Sequence, residues 1–297
     1  MKIKYVEKAL KPSSLRVIEQ ANAIIREYQQ DGMALTLRQL YYQFVARDLI
    51  PNRQTEYKRL GNLISDGRLA GLVDWYAIED RTRNVKSLSH WDNPGQIIRG
   101  ARYGFRMDKW AGQAYHVEVW IEKEALAGVI STACTDLDVS FFACRGYVSQ
   151  SEMWAAAERF LQRHEVEKKQ TVIVHLGDHD PSGIDMTRDI EDRMRTFGVG
   201  DHVTVERIAL NYDQVQRYDP PPNPAKITDS RANGYIAKYG RESWELDALE
   251  PRVMRTLIKD AVEKYREESI LAGVLAQEQK GREVLKYVEQ NWQSLIP

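Results

Sequence analysis

Apolar positions keep two different periods along this chain. In the first third they fall at helical spacing: Leu37, Leu40, Tyr41, Phe44 and Val45 occupy i, i+3, i+4, i+7 and i+8, behind a helix-opening Thr36. Residues 15–30 carry the same spacing after Pro12-Ser13-Ser14 and stop at Asp31-Gly32. Residues 56–64 resume it beyond the break Pro51-Asn52-Arg53. From residue 116 onward, short apolar runs take over at 116–121, 140–144, 171–176 and 203–210. The first three lead into helical spacing. That alternation predicts an α/β fold with a mostly parallel sheet, its strands buried on both faces.

Residues 67–78, with Gly67, Gly71 and the run Leu72–Ile78, read as turn and strand. Short helices followed by a small hairpin have the outline of a winged helix. Residues 84–112 read as a connection, which places an N-terminal domain at 1–110 and a second at 111–297. Residues 211–224, with Pro220-Pro221-Pro222, read as a non-helical connector, and 227–240 as a polar, mobile stretch. From Pro251 onward, Val253, Leu257, Ala261 and Tyr265, then Leu285, Val288 and Trp292, predict closing helices.

Charge changes the picture by its distribution. The net charge is −1 over 297 residues, yet residues 1–110 hold 19 Lys+Arg against 12 Asp+Glu, and the remainder 23 against 31. A basic front and an acidic back suit a DNA-gripping module joined to a carboxylate-rich one. Arg53, Lys58, Arg59, Arg68, Arg81, Arg83 and Lys86 are the expected phosphate contacts. Cys134 and Cys144 form no C-x-x-C pair or disulfide framework. The amino terminus has no apolar h-region, and no run approaches a membrane span. A cytoplasmic, nucleoid-associated protein is expected.

Candidate chemistry sits where strands end. Asp178 and Asp180, in G-D-H-D-P-S-G after residues 171–176, occupy a strand-to-helix loop, the edge where open α/β sheets bind ligands. Two carboxylates at i and i+2 can converge on a hard cation, and Mg²⁺ is the natural choice, with Mn²⁺ a second option. Pro181 and Gly183 would stiffen and then free the turn for a phosphate. Glu122 leaves another strand and can meet them. His175 and His179 flank the acids without ligand spacing; His179 should point away from the metal. In the N-terminal helix, Tyr41 lies on the apolar stripe, whereas Tyr42 falls on the polar face, exposed and four residues from Arg38.

These motifs together resemble a known family. E-K-E-A after one strand, R-G-Y after the next and G-D-x-D-P-x-G after a third look like the Toprim domain of the topoisomerase VI A subunit and its meiotic double-strand-break relatives. T-L-R-Q-L-Y-Y upstream is similar to the helix carrying that family's cleaving tyrosine in a winged-helix domain, and W-E-L-D-A-L downstream to its closing E-x-x-A-L. The fold implied is an N-terminal winged helix followed by a Rossmann-like Toprim domain with C-terminal helices. The activity implied is metal-dependent, topoisomerase-like cleavage of double-stranded DNA through a 5′-phosphotyrosyl link.

Carried over, the resemblance makes Tyr42 the nucleophile, with Arg38 beside it. It gives Glu122, Asp178 and Asp180 to Mg²⁺, and turns Lys123 and Arg145 toward phosphate. The family's proline and acid after R-G-Y are replaced here by V-S-Q-S. Tyrosine and metal come from different subunits in the family, which implies a homodimer. No G-x-x-x-x-G-K-[ST] is present, so ATP would fall to a B-type ATPase partner; little chain precedes Leu15 to dock one, and a compact stand-alone relative is expected. Two alternatives stay open: a Toprim nuclease that activates water, and a winged-helix DNA-binding protein without catalysis.

Overall fold

The computed structural model describes residues 1–30, 33–78, 88 and 90–295. Asp31-Gly32 and the segment carrying Arg81, Arg83 and Lys86 lie outside the described residues.

The N-terminal helices form where the spacing places them: α1 (Pro12–Gln30), α2 (Leu37–Ala46) and α3 (Gln54–Leu69). Thr36 opens α2 with a capping box. Its hydroxyl accepts from Gln39 N, and Gln39 Oε1 accepts from Thr36 N at 2.9 Å. Ile18, Ile24 and Tyr28 of α1, Leu40 and Phe44 of α2, and Leu60 and Ile64 of α3 close one core, which Ala248 joins from far down the chain.

The expected hairpin is not formed by the described part of residues 67–78. Helix α3 runs through Gly67, and only single bridges, Lys4 to Ala70 and Leu35 to Ile78, pair there. Gly67 permits a close approach rather than a turn, since a Cβ would lie 2.9 Å from Val73. Part of the expected connection is also helix. After the Asn93 cap comes α4 (Pro94–Gly104), which rests on the last long helix.

Four parallel strands make the sheet: β1 (Tyr115–Ile121), β2 (Ser140–Ala143), β3 (Gln170–Leu176) and β4 (Val203–Ala209), in the order β2-β1-β3-β4. Alternate residues face two cores. Val117, Val119, Val172 and Val174 pack under α5 (Ala127–Leu137) and α10 (Pro251–Glu263). Trp120 and Ile173 pack under α6 (Gln150–Glu167) and α7 (Pro181–Thr196). Register fixes the functional edge. Ile121 pairs with both Ala143 and Leu176, so the chain leaves these three strands at one level.

The region after β4 is more ordered than its composition predicts. Asn211 and Gln214 form a capping box that starts α8 (Tyr212–Tyr218), and the prolines come only after the left-handed Asp219 ends it. A two-residue pair, β5 (Asn223–Pro224) with β6 (Glu242–Ser243), brackets α9 (Ala232–Tyr239) in the stretch expected to be mobile. Leu246–Ala248 makes a 3-10 turn against α2, and α11 (Glu268–Asn291) closes the chain. Among the described residues no helix is long and apolar enough to cross a membrane.

Candidate active site

The loops leaving β1 and β3 lock together through the backbone. Glu122 Oε2 accepts from Asp178 N at 2.8 Å. Asp178 Oδ1 accepts from Leu246 N at 2.8 Å, and its Oδ2 lies 3.0 Å from Lys123 Nζ. Asp180 is engaged through one oxygen. It caps α7, accepting from Gly183 N at 2.6 Å and Ser182 Oγ at 3.0 Å. One oxygen of the expected D-x-D pair is thus taken up by a helix start, while the Asp180 charge still acts on Glu122. Among the described residues no three acids or imidazoles converge tightly enough to hold a metal ion.

The donors nonetheless suit a hard cation, being all oxygen. Burial, and then the charge of Asp180, pushes the Glu122 carboxyl up from its ordinary range. Burial also pushes Asp178 up, with the Glu122 charge adding to it against Lys123. Buried carboxyls raised by acidic neighbours, Asp178 by Glu122 and Glu122 by Asp180, are what a bound cation relieves, and Lys123 already plays part of that role at Asp178. Its ammonium lies 3.0 Å from each of Asp178 Oδ2, Glu245 Oε2 and Asp247 Oδ1.

Gly183 and Arg207 fix the acidic loop. The backbone at Gly183 is ordinary helix; the glycine is required because a Cβ there would lie 2.3 Å from the Asp178 carbonyl. Its expected part in freeing the turn gives way to close packing. Arg207, half-buried on β4, donates to the carbonyls of Asp178 (2.7 Å), Gly183 (2.9 Å) and Gly177 (3.0 Å) and to Thr187 Oγ1 (3.0 Å). Arg207 was missed in the sequence. Its one signal is a guanidinium within a strand beside apolar neighbours.

Tyr42 is not exposed as its helical face predicts. Both phenols of the pair are 4% exposed, because the segment around Leu246–Ala248 covers the polar side of α2. Their hydroxyls diverge. Tyr41 donates to Asn52 Oδ1 at 2.9 Å, and Tyr42 donates to Glu245 Oε2 at 3.0 Å. Arg38 stands beside Tyr42 as expected, its guanidinium carbon 6.0 Å from the ring centre, and it pairs with Glu245 and with Asp247, the latter at 2.7 Å. Burial, then the charges of Asp247 and Glu245, raise the Tyr42 phenol against the opposing Arg38. Glu245 itself is held down at about 2 despite its burial, by Lys123 and Arg38.

A cleft of about 290 Å³ reaches Tyr42 and Arg38 between Tyr57, Asn52, Asn223 and Glu245. Glu245 and Asp247 are thus the hub of the site. In the sequence they appear only inside the W-E-L-D-A-L motif, with nothing to tie them to Tyr42.

Other candidates lie further out. Arg145 is largely exposed and pairs with Glu124. Arg53, Lys58 and Arg59 are exposed at the start of α3, Arg59 bonded to Glu56 at 3.0 Å. Arg68 instead turns inward and donates to the carbonyls of Trp75 and Ile78, so it is no phosphate contact. His179 packs into a ring cluster of Tyr212, Tyr235, Tyr239 and Trp244. Its Nδ1 lies 2.8 Å from Tyr235 Oη, so α9 clamps the acidic loop from behind. His175 is buried against Thr187 Oγ1 at 2.9 Å. No family model matches the chain, and no curated protein matches it.

Proposed function

We propose that this protein cleaves DNA by tyrosine transesterification, as a relative of the topoisomerase VI A subunit with a winged-helix-like front and a Toprim back. The supporting observation is a tyrosine, flanked by an arginine, one hydrogen bond from an acid cluster at the carboxyl edge of a parallel sheet. The Tyr42 oxygen bonds to phosphorus, the P–O3′ bond breaks, and the phenol's proton ends on the 3′ oxygen. The products are a 5′-phosphotyrosyl link and a free 3′-hydroxyl.

In the resting arrangement Glu245 is too weak a base to take that proton, because Lys123 and Arg38 stabilise its anion. An incoming phosphate competes for both cations. As they turn to it, Glu245 loses two of its three donors and becomes more basic, and Arg38 is placed to stabilise charge on the phosphorane. Glu122, Asp178 and Asp180 would hold Mg²⁺ or Mn²⁺, which when bound supplies positive charge for the phosphate's non-bridging oxygens. Arg53, Lys58, Arg59 and Arg145 would carry the flanking strand by phosphate contacts.

The test is incubation of the purified protein with supercoiled plasmid and Mg²⁺ or Mn²⁺, followed by denaturant, with and without protease. Cleaved DNA that enters a gel only after proteolysis supports transesterification. The burial of Tyr42 and its raised pKa favour a second reading, in which activated water cuts and Tyr42 only lines the cleft. That chemistry leaves free 5′-phosphate ends and no protein on the DNA.

A further inference from the structure

The cleft beside Arg38 has a mouth built from the turn before α3 and the first residues of that helix. Asn52 braces it. Its Oδ1 accepts from Tyr41 Oη at 2.9 Å, while its Nδ2 donates to the Pro222 carbonyl at 3.2 Å and to Asn223 Oδ1 at 3.1 Å. Tyr57 packs edge-on against Tyr41, with ring centres 5.4 Å apart. The wall is therefore fixed before anything binds, so little ordering is left for a ligand to impose.

Other groups at this mouth are unengaged. Among the described residues, the Gln54 carboxamide, the Asn223 amide nitrogen and the Tyr57 hydroxyl have no hydrogen-bond partner. A carboxamide offers a donor and an acceptor side by side, which matches the edge of a nucleobase, and a tyrosine ring is a surface on which its face can stack. The Arg38 side chain, 46% exposed, lines the same cleft, and Arg53 stands exposed between the lining residues Asn52 and Gln54. Guanidinium groups beside stacking rings suit a base with its phosphate attached.

Size selects among nucleic acids. At about 290 Å³ the cleft is at the small end of ligand pockets, enough for one nucleotide and too little for a stacked base pair. A nucleotide must leave its duplex partner to enter, as bases do when an enzyme takes them out of the stack.

We propose that this cleft holds one unpaired nucleotide, its base against Tyr57 and read by Gln54 and Asn223, its phosphate beside Arg38. The preferred substrate is then single-stranded or locally opened DNA rather than a perfect duplex. This rests on the action on DNA proposed above and adds its substrate class.

The experiment measures binding of the full-length protein, in EDTA, to three fluorescein-labelled DNAs of equal length: a perfect duplex, the same duplex with a central mismatched bubble, and that bubble with abasic sites. The bubble should bind about 10- to 100-fold more tightly than the perfect duplex, because its unpairing is already done, and the abasic sites should remove most of that gain. Tyr57→Ala and Gln54→Ala, the latter at an exposed position, should each weaken bubble binding by about tenfold and barely alter duplex binding, with circular dichroism checking the fold. Equal affinity for bubble and duplex, or a bubble preference that survives both the abasic sites and Gln54→Ala, overturns the proposal. Covalent attachment, read on denaturing gels after Mn²⁺ is added to the same DNAs, separates it from the chemistry. Base-dependent bubble binding without attachment overturns transesterification alone. Attachment to the perfect duplex as readily as to the bubble overturns the nucleotide cleft alone.

Discussion

Tyr42 and Glu245 are 203 residues apart in sequence and share a hydrogen bond of 3.0 Å from phenol to carboxylate. That bond ties the helical layer to the sheet at the one oxygen where Lys123 and Arg38 also converge. Glu245→Gln removes one of the charges that hold the phenol's pKa up, so Tyr42 should ionise at lower pH. The check is alkaline absorbance difference spectra against Tyr42→Phe. Adduct formation should fall by about 10²–10⁴, the usual range for loss of a proton-transfer partner, with DNA affinity little changed.

Lys123 neutralises three acids at once, so removing it is costlier than removing a surface lysine. Lys123→Met should destabilise the protein by about 3 kcal/mol, the lower end for breaking a buried ion pair, because the ammonium keeps some solvent contact. Urea unfolding in EDTA measures this. Added Mg²⁺ should recover more stability in the variant than in the wild type, a divalent ion being able to replace the missing charge.

Arg207→Met removes the donor shared by the Asp178, Gly183 and Gly177 carbonyls and Thr187 Oγ1 and should cost about 1–3 kcal/mol by urea unfolding, with Arg207→Lys restoring part of it. Divalent-ion affinity should fall along the same series, read by Mn²⁺ or Tb³⁺ binding. A variant series with unchanged ion affinity would separate Arg207 from the acidic loop.

Gly183→Ala must move the Asp178 carbonyl, since the new Cβ would lie 2.3 Å from it. The expected outcome is a folded protein whose DNA cleavage drops by about 10²-fold, the effect of misplacing a site group by an ångström. Plasmid cleavage with a circular dichroism control tests it.

Glu118 gives the pH dependence a defined direction. Its burial opposes ionisation, but hydrogen bonds from His116, Arg159 and Trp120 and the Arg159 charge hold its carboxyl at about 2 instead of the usual 4.5. Native protein therefore keeps Glu118 ionised at pH values where the unfolded chain binds a proton. Its contribution, about 3 kcal/mol from the size of that shift, is complete above pH 4.5 and is lost as pH falls toward 2. Unfolding midpoints between pH 7 and 3 should decline less steeply in Glu118→Gln, which starts less stable at neutral pH.

Elements with strong local signals were legible in the chain. Thr36 with Gln39, and the β-branched runs that became β1 and β3, carry their instructions within a few residues, so capping and burial pattern suffice. That Glu122 and Asp178 meet was equally legible, because strand exits of a parallel sheet share one edge, whereas Lys123, expected to turn toward phosphate, pairs with Asp178, Glu245 and Asp247. The wing was not, because Gly67 and Gly71 look like turn residues until a packing partner explains Gly67. Helices α8 and α9 were hidden by the proline run and polar composition of their surroundings, although capping and ring packing settle both.

By itself, then, the sequence determined the four parallel strands, the helices beside them, and the pairing of Arg38 with Tyr42 on one face of α2. Only the folded chain decided that this face is covered, that Asp180 caps a helix, and that Glu245 rather than solvent receives the phenol. Helical periodicity gives the direction of a side chain relative to its own axis. What stands opposite depends on contacts across some two hundred residues, where burial and charge pairing act together and local spacing carries no information.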